Sequence, residues 1–106
     1  MGLSTHVLDA VSGLPAVGVP VTLLDARHQA LASSTTDADG RVGQLADDLA
    51  TGIYRLRFDT ATYFAANGVA AFYPEIVIAF EITDADAKYH VPVLLSPFAY
   101  STYRGS

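Results

Sequence analysis

Short stretches of alternating apolar and polar residues, each closed by turn-forming residues, are the feature that most limits what this chain can fold into. Alternation with a period of two places one set of side chains on each face of a β-strand, whereas a surface helix repeats every 3.6 residues. Strands are predicted at residues 4–9, 19–24, 29–36, 52–58, 74–82 and 88–95, the third being the weakest. One short helix is predicted at 60–66, before the helix stop Asn67-Gly68. This pattern predicts an all-β, antiparallel β-sandwich with one short helix.

Three local patterns add detail to this prediction. Residues 37–40, with two Asp residues and a Gly, favour a hairpin turn. Arg55 and Arg57 share a strand face with Ile53, so that face is expected to meet solvent. Pro92 has no amide hydrogen to donate, so the last predicted strand is expected at a sheet edge, or with one amide position turned away from a partner.

Composition limits the classes of partner. The chain has 106 residues and no linker-like stretch, so a single domain is predicted over residues 1–106. Because 51% of the residues are apolar and 16% are charged, some apolar surface is expected to be buried between subunits. The net charge is −5, and the Lys and Arg residues are scattered. Without a basic stripe to neutralise phosphates, nucleic acid is not an expected partner.

The sequence gives little support to membrane association, metal binding or covalent catalysis. No apolar run approaches the roughly 20 residues that span a bilayer, so no membrane partner is expected and a cytoplasmic location is predicted. The chain has no cysteine, and its three histidines lack the paired spacing of a zinc site. Asp37 and Asp39 hint at a calcium loop, but Ala46 stands where its bidentate Glu belongs. We therefore expect no metal and no cofactor.

The two ends of the chain resemble a known family. The first stretch reads Leu-Ser-Thr-His-Val-Leu-Asp from Leu3 and is followed by Gly-Leu-Pro-Ala from Gly13. The second runs from Tyr89 to the final Tyr-Arg-Gly-Ser at 103–106. Both resemble the 5-hydroxyisourate hydrolases, the transthyretin-related enzymes, and the similarity extends along the whole chain. The terminal tetrapeptide is the most specific part, because in that family it marks the enzymes and is missing from the hormone carrier transthyretin.

The resemblance implies a fold, a reaction and a site. The fold is the transthyretin-like β-sandwich, and the reaction is hydrolysis of 5-hydroxyisourate to 2-oxo-4-hydroxy-4-carboxy-5-ureidoimidazoline in urate breakdown. A homotetramer, built as a dimer of dimers with active sites between the dimers, is implied as well. Ala99 departs from the pattern, which has glycine there, and a change in the turn that delivers the C-terminal tail is therefore an expectation. The implied catalytic residues are His6, Arg41, His90 and Ser106, and the implied substrate-binding residues are Tyr103, Arg104 and Gly105.

The residue types suit the hydrolysis of an amide. Histidine titrates at about pH 6.5 when unperturbed, so His6 and His90 can serve as proton acceptor and donor, in either order. Arg41 offers a planar fork of donors for an oxyanion or an imide edge. Taken singly, these residues would be read as strand histidines and a solvated arginine beside a turn, and Ser106 as part of a frayed chain end. Only their joint occurrence predicts a site.

Two other functions remain open at this stage. A transthyretin-like carrier would keep the sandwich and bind a small apolar molecule without reacting with it, because function depends on the site and not on the fold. A structural β-sandwich module would dock through an edge strand and exposed apolar residues. Neither accounts for the two histidines, Arg41 and the C-terminal tetrapeptide together.

Overall fold

Within the described part of the chain, nine strands form two sheets, and one short helix lies outside them. The computed structural model describes residues 2–106, and Met1, the first residue of the predicted domain, lies outside them. The helix α1 spans Thr60–Ala66. The strands are β1 (Gly2–Asp9), β2 (Leu14–Pro15), β3 (Pro20–Leu24), β4 (Ala30–Thr35), β5 (Arg41–Asp47), β6 (Gly52–Phe58), β7 (Ile76–Ile82), β8 (Tyr89–Leu95) and β9 (Tyr100–Thr102). The predicted all-β sandwich with one short helix is confirmed.

The order of strands joins the two ends of the chain. The first sheet has the order β2-β1-β8-β9, with β5 also paired to β1, and the second sheet has the order β4-β3-β6-β7. Every pair is antiparallel except β1 with β8, which run parallel from Leu3↔Tyr89 to Asp9↔Leu95. The stretches that carry the family resemblance are therefore neighbours in one sheet.

Alternation along β1 separates the core from a polar outer face. Leu3, Thr5 and Val7 are buried between the sheets, and each fully buried aliphatic side chain of this kind contributes about 1.5–3 kcal/mol. The buried hydroxyl of Thr5 donates to the carbonyl of Val91 at 2.6 Å, which offsets the cost of removing it from water. Ser4 and His6 point the other way and are half-buried. The first sheet thus presents histidine on its outer surface.

Several predicted elements are found at or near their predicted bounds. Both β6 and α1 begin and end at the predicted residues. Arg57 and Ile53 are exposed and Arg55 is half-buried, so the predicted wet face of β6 is confirmed. Asp59 caps the helix by accepting a hydrogen bond from the amide of Thr62 at 3.1 Å. No helix in residues 2–106 is long and apolar enough to cross a membrane.

Strand β5 was not predicted, because its hydrophobic period is broken. Its buried residues Val42 and Leu45 are three positions apart, and a regular strand would bury every second one. The register with β1 shifts between the pairs Thr5↔Val42 and Leu3↔Ala46. This bulge gives β5 extra residues opposite Ser4 and hides the strand from a search for alternation.

The turn at residues 37–40 forms, but it does not close a hairpin. The carboxylate of Asp37 accepts hydrogen bonds from the amides of Asp39 at 2.9 Å and Arg41 at 3.0 Å. Gly40 has φ +73°, and a Cβ there would overlap the carbonyl oxygen of Val7. The flanking strands belong to different sheets, since β4 pairs with β3 and β5 pairs with β1. The predicted hairpin is wrong, because the turn carries the chain from one sheet to the other.

The expected edge position of β8 is also wrong, because β8 lies between β1 and β9. Its outer neighbour is residues 100–106, named here the closing segment, which pairs through Val93↔Thr102 and again through the bridge His90↔Gly105. Pro92 comes two residues after His90, so its backbone also faces the closing segment. The missing amide hydrogen thus falls on the side of β8 that faces the closing segment, between the two paired stretches, and not on a side turned away from a partner.

Candidate active site

Three adjacent strands bring His6, Arg41 and His90 onto one face of the first sheet. His6 on β1 is the register partner of Arg41 on β5, and Ser4 on β1 is the partner of His90 on β8. Because side chains two positions apart on a strand share a face, Ser4 and His6 link the other two residues. The parallel β1–β8 pairing therefore brings together histidines that are distant in the sequence.

The ring of His90 is held on two sides. Its Nδ1 lies 2.7 Å from the hydroxyl oxygen of Ser4. A Cβ on Gly105 would overlap the Cδ2 atom of the His90 ring, so the ring occupies space that only glycine leaves open. Burial lowers the pKa of His90 below its usual value, and the positive charges of Arg41 and His6 lower it further, against a smaller raising effect of the hydrogen bond with the Ser4 backbone. The His90 ring is therefore neutral at pH 7. Ser4 contacts its Nδ1 atom and leaves the Nε2 atom available.

The ring of His6 is fixed by the turn at residues 37–40. Its Nε2 lies 2.9 Å from the carbonyl oxygen of Asp39. A carbonyl can only accept, so Nε2 carries the hydrogen and the lone pair of the neutral ring is on Nδ1. Hydrogen bonds from the amides of Arg41 and Asp39 lower the pKa of Asp37 and keep its carboxylate charged, which stabilises the turn. The turn thus positions both His6 and the first residue of β5.

A hollow of about 330 Å³ opens over these strands. It is lined by Ser4, Thr5, Arg41, Gly43, Lys88, His90 and Ser106. The sequence did not single out Ser4, Gly43 or Lys88. Alternation would have found two of them, because Ser4 lies two positions from His6 in the predicted strand 4–9 and Lys88 two positions from His90 in the predicted strand 88–95. Gly43 lies on β5, which was not predicted, so it had no such signal.

The closing segment separates the predicted tail residues. Gly105 donates its amide to the carbonyl of His90 at 2.9 Å, and this pairing brings Ser106 into the hollow. Tyr103 and Arg104 instead line a second hollow of about 330 Å³, beside β7 and β8, which also touches His90. The seven predicted site residues therefore do not surround one cavity.

Arg104 fixes the closing segment to the sandwich. Its guanidinium carbon lies 4.8 Å from the centre of the Tyr89 ring, a cation–π contact. The hydroxyl oxygen of Tyr89 accepts hydrogen bonds from the amides of Thr83 and Asp84, each at 3.1 Å. These two hydrogen bonds and the charge of Arg104 lower the pKa of Tyr89. Arg104 thus contacts the protein itself, while Tyr103 is 59% exposed.

The hollow is a positively charged place on a negatively charged protein. Arg41 and Lys88 supply this positive charge, and within residues 2–106 neither of them has a carboxylate at ion-pair distance. His90 lines the same hollow as a neutral ring. In the same described residues, no group of three or more His, Cys, Asp or Glu side chains could hold a metal ion. The arrangement suits an anionic or strongly polar small molecule, together with proton transfer by histidine.

Comparison with known proteins gives consistent matches along the chain. A model of the HIUase/Transthyretin family matches residues 3–105. The 5-hydroxyisourate hydrolase of Caulobacter vibrioides is 48% identical over 113 aligned positions, which cover 99% of this chain and 98% of that protein. The structure of Klebsiella pneumoniae 5-hydroxyisourate hydrolase superposes with a TM-score of 0.92 at 38% identity, covering 100% of both chains.

Transthyretin itself has the same fold. Sea bream transthyretin, solved in complex with thyroxine, superposes with a TM-score of 0.92 at 30% identity, covering 99% of this chain and 95% of that one. The family model and the full-length relatives agree. The chain belongs to the HIUase/transthyretin family.

Proposed function

We propose that the protein hydrolyses 5-hydroxyisourate to 2-oxo-4-hydroxy-4-carboxy-5-ureidoimidazoline. The observation that carries this proposal is the convergence of Arg41, His90 and Ser106 on one hollow, with His6 paired beside Arg41. The 48% identity to the Caulobacter hydrolase over nearly the whole of both chains supports it. The reaction opens a cyclic amide with water and uses no external oxidant or reductant.

His90 is assigned the role of general base. Its lowered pKa keeps the ring neutral at pH 7, and the contact of Nδ1 with Ser4 leaves Nε2 to accept a proton from water. The water oxygen then bonds to the amide carbon, and negative charge develops on the carbonyl oxygen. Arg41 stabilises this oxyanion through its fork of donors.

His6 is assigned the role of proton donor to the leaving nitrogen. The donor is the protonated ring, in which Nδ1 carries a second hydrogen while Nε2 keeps its own on the Asp39 carbonyl. The C–N bond breaks as the leaving nitrogen takes the Nδ1 proton, His6 is left neutral, and the carbonyl carbon becomes a carboxylic acid that ionises. A hydrogen bond from Nε2 to the Asp39 carbonyl orients the ring throughout. The proton taken up by His90 restores His6 through solvent, so the net change is the addition of one water molecule.

The remaining tail residues have different proposed roles. Ser106 contacts substrate or the attacking water from the side of the hollow that the closing segment forms. Gly105 keeps the His90 ring in place, and Arg104 anchors the segment on Tyr89. These two act through position, not through contact with substrate. A substrate contact by Tyr103 stays a prediction.

The proposed assembly is a homotetramer of 1–106 domains, a dimer of dimers, located in the cytoplasm. Its support is the number of large apolar side chains left exposed on the single chain. Leu14 is 63% exposed and Phe98 is 71% exposed, more than an isolated domain needs to leave in water. The sheet edges β7 and β9 are open to pairing within residues 2–106. The proposed partners are therefore the small-molecule substrate and further copies of the chain.

A small-molecule carrier is the second candidate, because sea bream transthyretin in complex with thyroxine has the same fold. The hollow on the first sheet disfavours it. A carrier of apolar molecules has no need of Arg41, Lys88 and His90 around one hollow. Grouping such side chains lowers the stability of the protein, which is expected only where function uses them.

The decisive experiment follows the decay of freshly generated 5-hydroxyisourate by ultraviolet absorbance. Wild-type protein is compared with His6→Ala, Arg41→Ala, His90→Ala and a variant that lacks Ser106. We expect rapid decay with the wild type and a loss of about 100-fold or more in the three side-chain variants, the usual scale for acid–base and oxyanion groups. Circular dichroism and thermal melting check that each variant is folded.

Either outcome is informative about the class of protein. Decay at the spontaneous rate with folded wild-type protein would contradict the hydrolase and leave the carrier, to be pursued by ligand screening. Rapid decay that survives all four changes would support a hydrolase whose site lies elsewhere.

A further inference from the structure

Gly43 is a glycine in the middle of a strand without a structural reason to be one. It lies in β5, two positions after Arg41, and is exposed on the same face. A glycine inside a strand weakens it, since it adds backbone entropy and has no side chain to pack. Such a position often marks the close approach of a ligand or another backbone.

Neither packing nor backbone geometry demands glycine at this position. A Cβ on Gly43 would have nothing within 4 Å, whereas a Cβ on Gly40 or Gly105 would overlap a neighbour. Five other glycines have positive φ, and Gly43 is not one of them. The bulge opposite Ser4 therefore uses ordinary strand geometry here, which any residue can adopt.

The empty space over Gly43 joins two hollows. The hollow described above meets a second one of about 270 Å³, and both are lined by Ser4, Gly43 and Lys88. Beyond Gly43 the 270 Å³ hollow, which is a different one from that lined by Tyr103 and Arg104, extends to Gln44 and Asp47. A side chain at position 43 would stand between them and divide one continuous groove.

The floor and rim of this groove suit a flat polar ring. Gly43 and Ser4 make the floor low, because one has no side chain and the other a small one. Arg41 and Lys88, the only lysine of the chain, supply positive charge to its lining, and the carboxylate of Asp47 lines its far part. A bicyclic heterocycle that becomes a carboxylate as its amide is hydrolysed would lie on this floor with the developing charge near the two cations.

We propose that Gly43 is a specificity-determining residue, kept free of a side chain so that the ring of the substrate lies across it toward Lys88. This inference rests on the proposed hydrolysis of a cyclic amide and names the part of the site that admits the ring. It assigns a functional reason to a glycine that the fold does not require.

The test is a graded series at this position, Gly43→Ala and Gly43→Val, with Ser33→Val as the matched control. Ser33 is exposed on β4 in the second sheet, so the control adds the same side chain to a strand away from the groove. We expect kcat/KM for 5-hydroxyisourate to fall several-fold for Gly43→Ala and about 100-fold for Gly43→Val, as misplaced substrates do. Melting temperatures should equal or exceed that of the wild type, because Val favours strands more than Gly does.

Binding of urate, a flat bicyclic purine that the reaction does not consume, separates this inference from the proposed function. Calorimetric titration should show weaker binding in Gly43→Ala than in wild type, still weaker binding in Gly43→Val, and unchanged binding in Ser33→Val. If wild-type protein has no hydrolase activity, the proposed function fails and the urate series alone decides the role of Gly43. An inactive wild type that binds no urate overturns both.

Three results would overturn the inference while the hydrolase stands. One is wild-type kcat/KM in both Gly43 variants. Another is an equal loss in Ser33→Val, which would indicate a general effect of the added side chain. The third is unfolding or a changed mass of Gly43→Val in sedimentation, because this would show that the position is packed and not open.

Discussion

The outer face of each sheet carries an exposed arginine on a strand, Arg41 on β5 and Arg57 on β6, but the residues around the two arginines differ. On the second sheet, β6 presents Arg57 to solvent, and its neighbours on that face are exposed along β7 as well. On the first sheet, β5 presents Arg41 beside half-buried His6, on the same face as half-buried His90. The difference is in what lies around the arginine and not in the arginine itself.

The convergence of several polar side chains on one hollow, more than residue type, distinguishes a candidate site from a solvated face. An exposed arginine on an open strand is hydrated and screened, so it contributes little to binding. Arg41 lies in a hollow where the pKa of His90 responds to its charge. The same side chain therefore has a proposed chemical role on one sheet and a solubilising role on the other.

The largest expected difference comes from the same conservative change on both faces, Arg41→Lys and Arg57→Lys. Both variants keep the positive charge and lose the planar fork of donors. We expect kcat/KM for 5-hydroxyisourate to fall about 100-fold in Arg41→Lys, the scale of a lost oxyanion donor, and to stay at the wild-type value in Arg57→Lys. Initial rates of 5-hydroxyisourate decay, followed by ultraviolet absorbance, measure this. Equal rates in the two variants would show that Arg41 takes no part in the reaction.

The second prediction concerns the closing segment, which extends the first sheet beyond β8. A short Gly-Ser extension after Ser106 should lower turnover roughly tenfold, because it pushes the end of the segment out of the hollow. The same extension before Met1 should leave turnover unchanged. Thermal melting of both proteins is the control for folding. Matching activities in the two extended proteins would mean that the end of the segment has no part in the site.

The sequence predicted the elements whose patterns are regular and missed those whose patterns are broken. The strand β6 and the helix α1 were predicted at their observed bounds, because one alternates cleanly and the other has a clear stop. The bulge in β5 removed its period, and the turn at 37–40 looks the same whether its strands pair or separate. Pairing of β1 with β8 depends on contacts between the two ends of the chain, which local patterns do not contain.

The candidate site was predicted through resemblance and completed by geometry. Resemblance pointed to the reactive residue types, whereas the positions that shape the hollow come from the faces of strands. Ser4, Gly43 and Lys88 are ordinary residues in the sequence and became visible only once strand faces were assigned. The direction of the tail was equally hidden, since pairing with β8 turns Ser106 into one hollow and Tyr103 into another.

The third prediction concerns the pH dependence of kcat/KM, which should change when the charge of Arg41 is removed but not when the charge of Arg57 is removed. A base must be neutral to work, and the pKa of His90 is lowered, so the acid limb of kcat/KM should lie below about pH 6.5. In Arg41→Gln the lost charge lets this pKa rise, and the limb of the residual activity should move to higher pH. Arg57→Gln should leave it in place. Rates measured from pH 5 to 8 decide this, and an unmoved limb in Arg41→Gln would contradict the assignment of His90 as base.

The lowered pKa of His90 also determines the direction in which the stability of the folded protein changes with pH. The unfolded chain binds the proton of His90 more readily than the folded protein does at pH values between the two pKa values. The folded state is therefore favoured above about pH 6.5 and loses this advantage as the pH falls through the window. His90→Asn should flatten this part of the stability curve in urea unfolding, whereas Arg57→Gln should not.

The smallest effect on activity is expected at Asp9, which lies on β1 but outside the hollow. Its carboxylate accepts hydrogen bonds from the Tyr63 hydroxyl at 2.8 Å and from the amides of Val11 at 2.9 Å and Ser12 at 3.2 Å. Burial acts to raise the pKa of Asp9, but these hydrogen bonds outweigh it and lower the pKa. Burial and the contact with Asp9 raise the pKa of Tyr63 to about 12. This network ties the end of β1 to the helix α1.

Tyr63→Phe therefore tests whether the first sheet contains a structural region separate from its site. The change should lower the free energy of unfolding by about 1 kcal/mol at pH 7, the typical value of one hydrogen bond, and leave kcat/KM unchanged. Because a lowered carboxyl pKa stabilises only while the group is charged, the difference from wild type should shrink as the pH falls below about 4. Urea unfolding at several pH values and the decay assay measure the two quantities. A large loss of turnover in a folded variant would show that the site extends along β1 as far as Asp9.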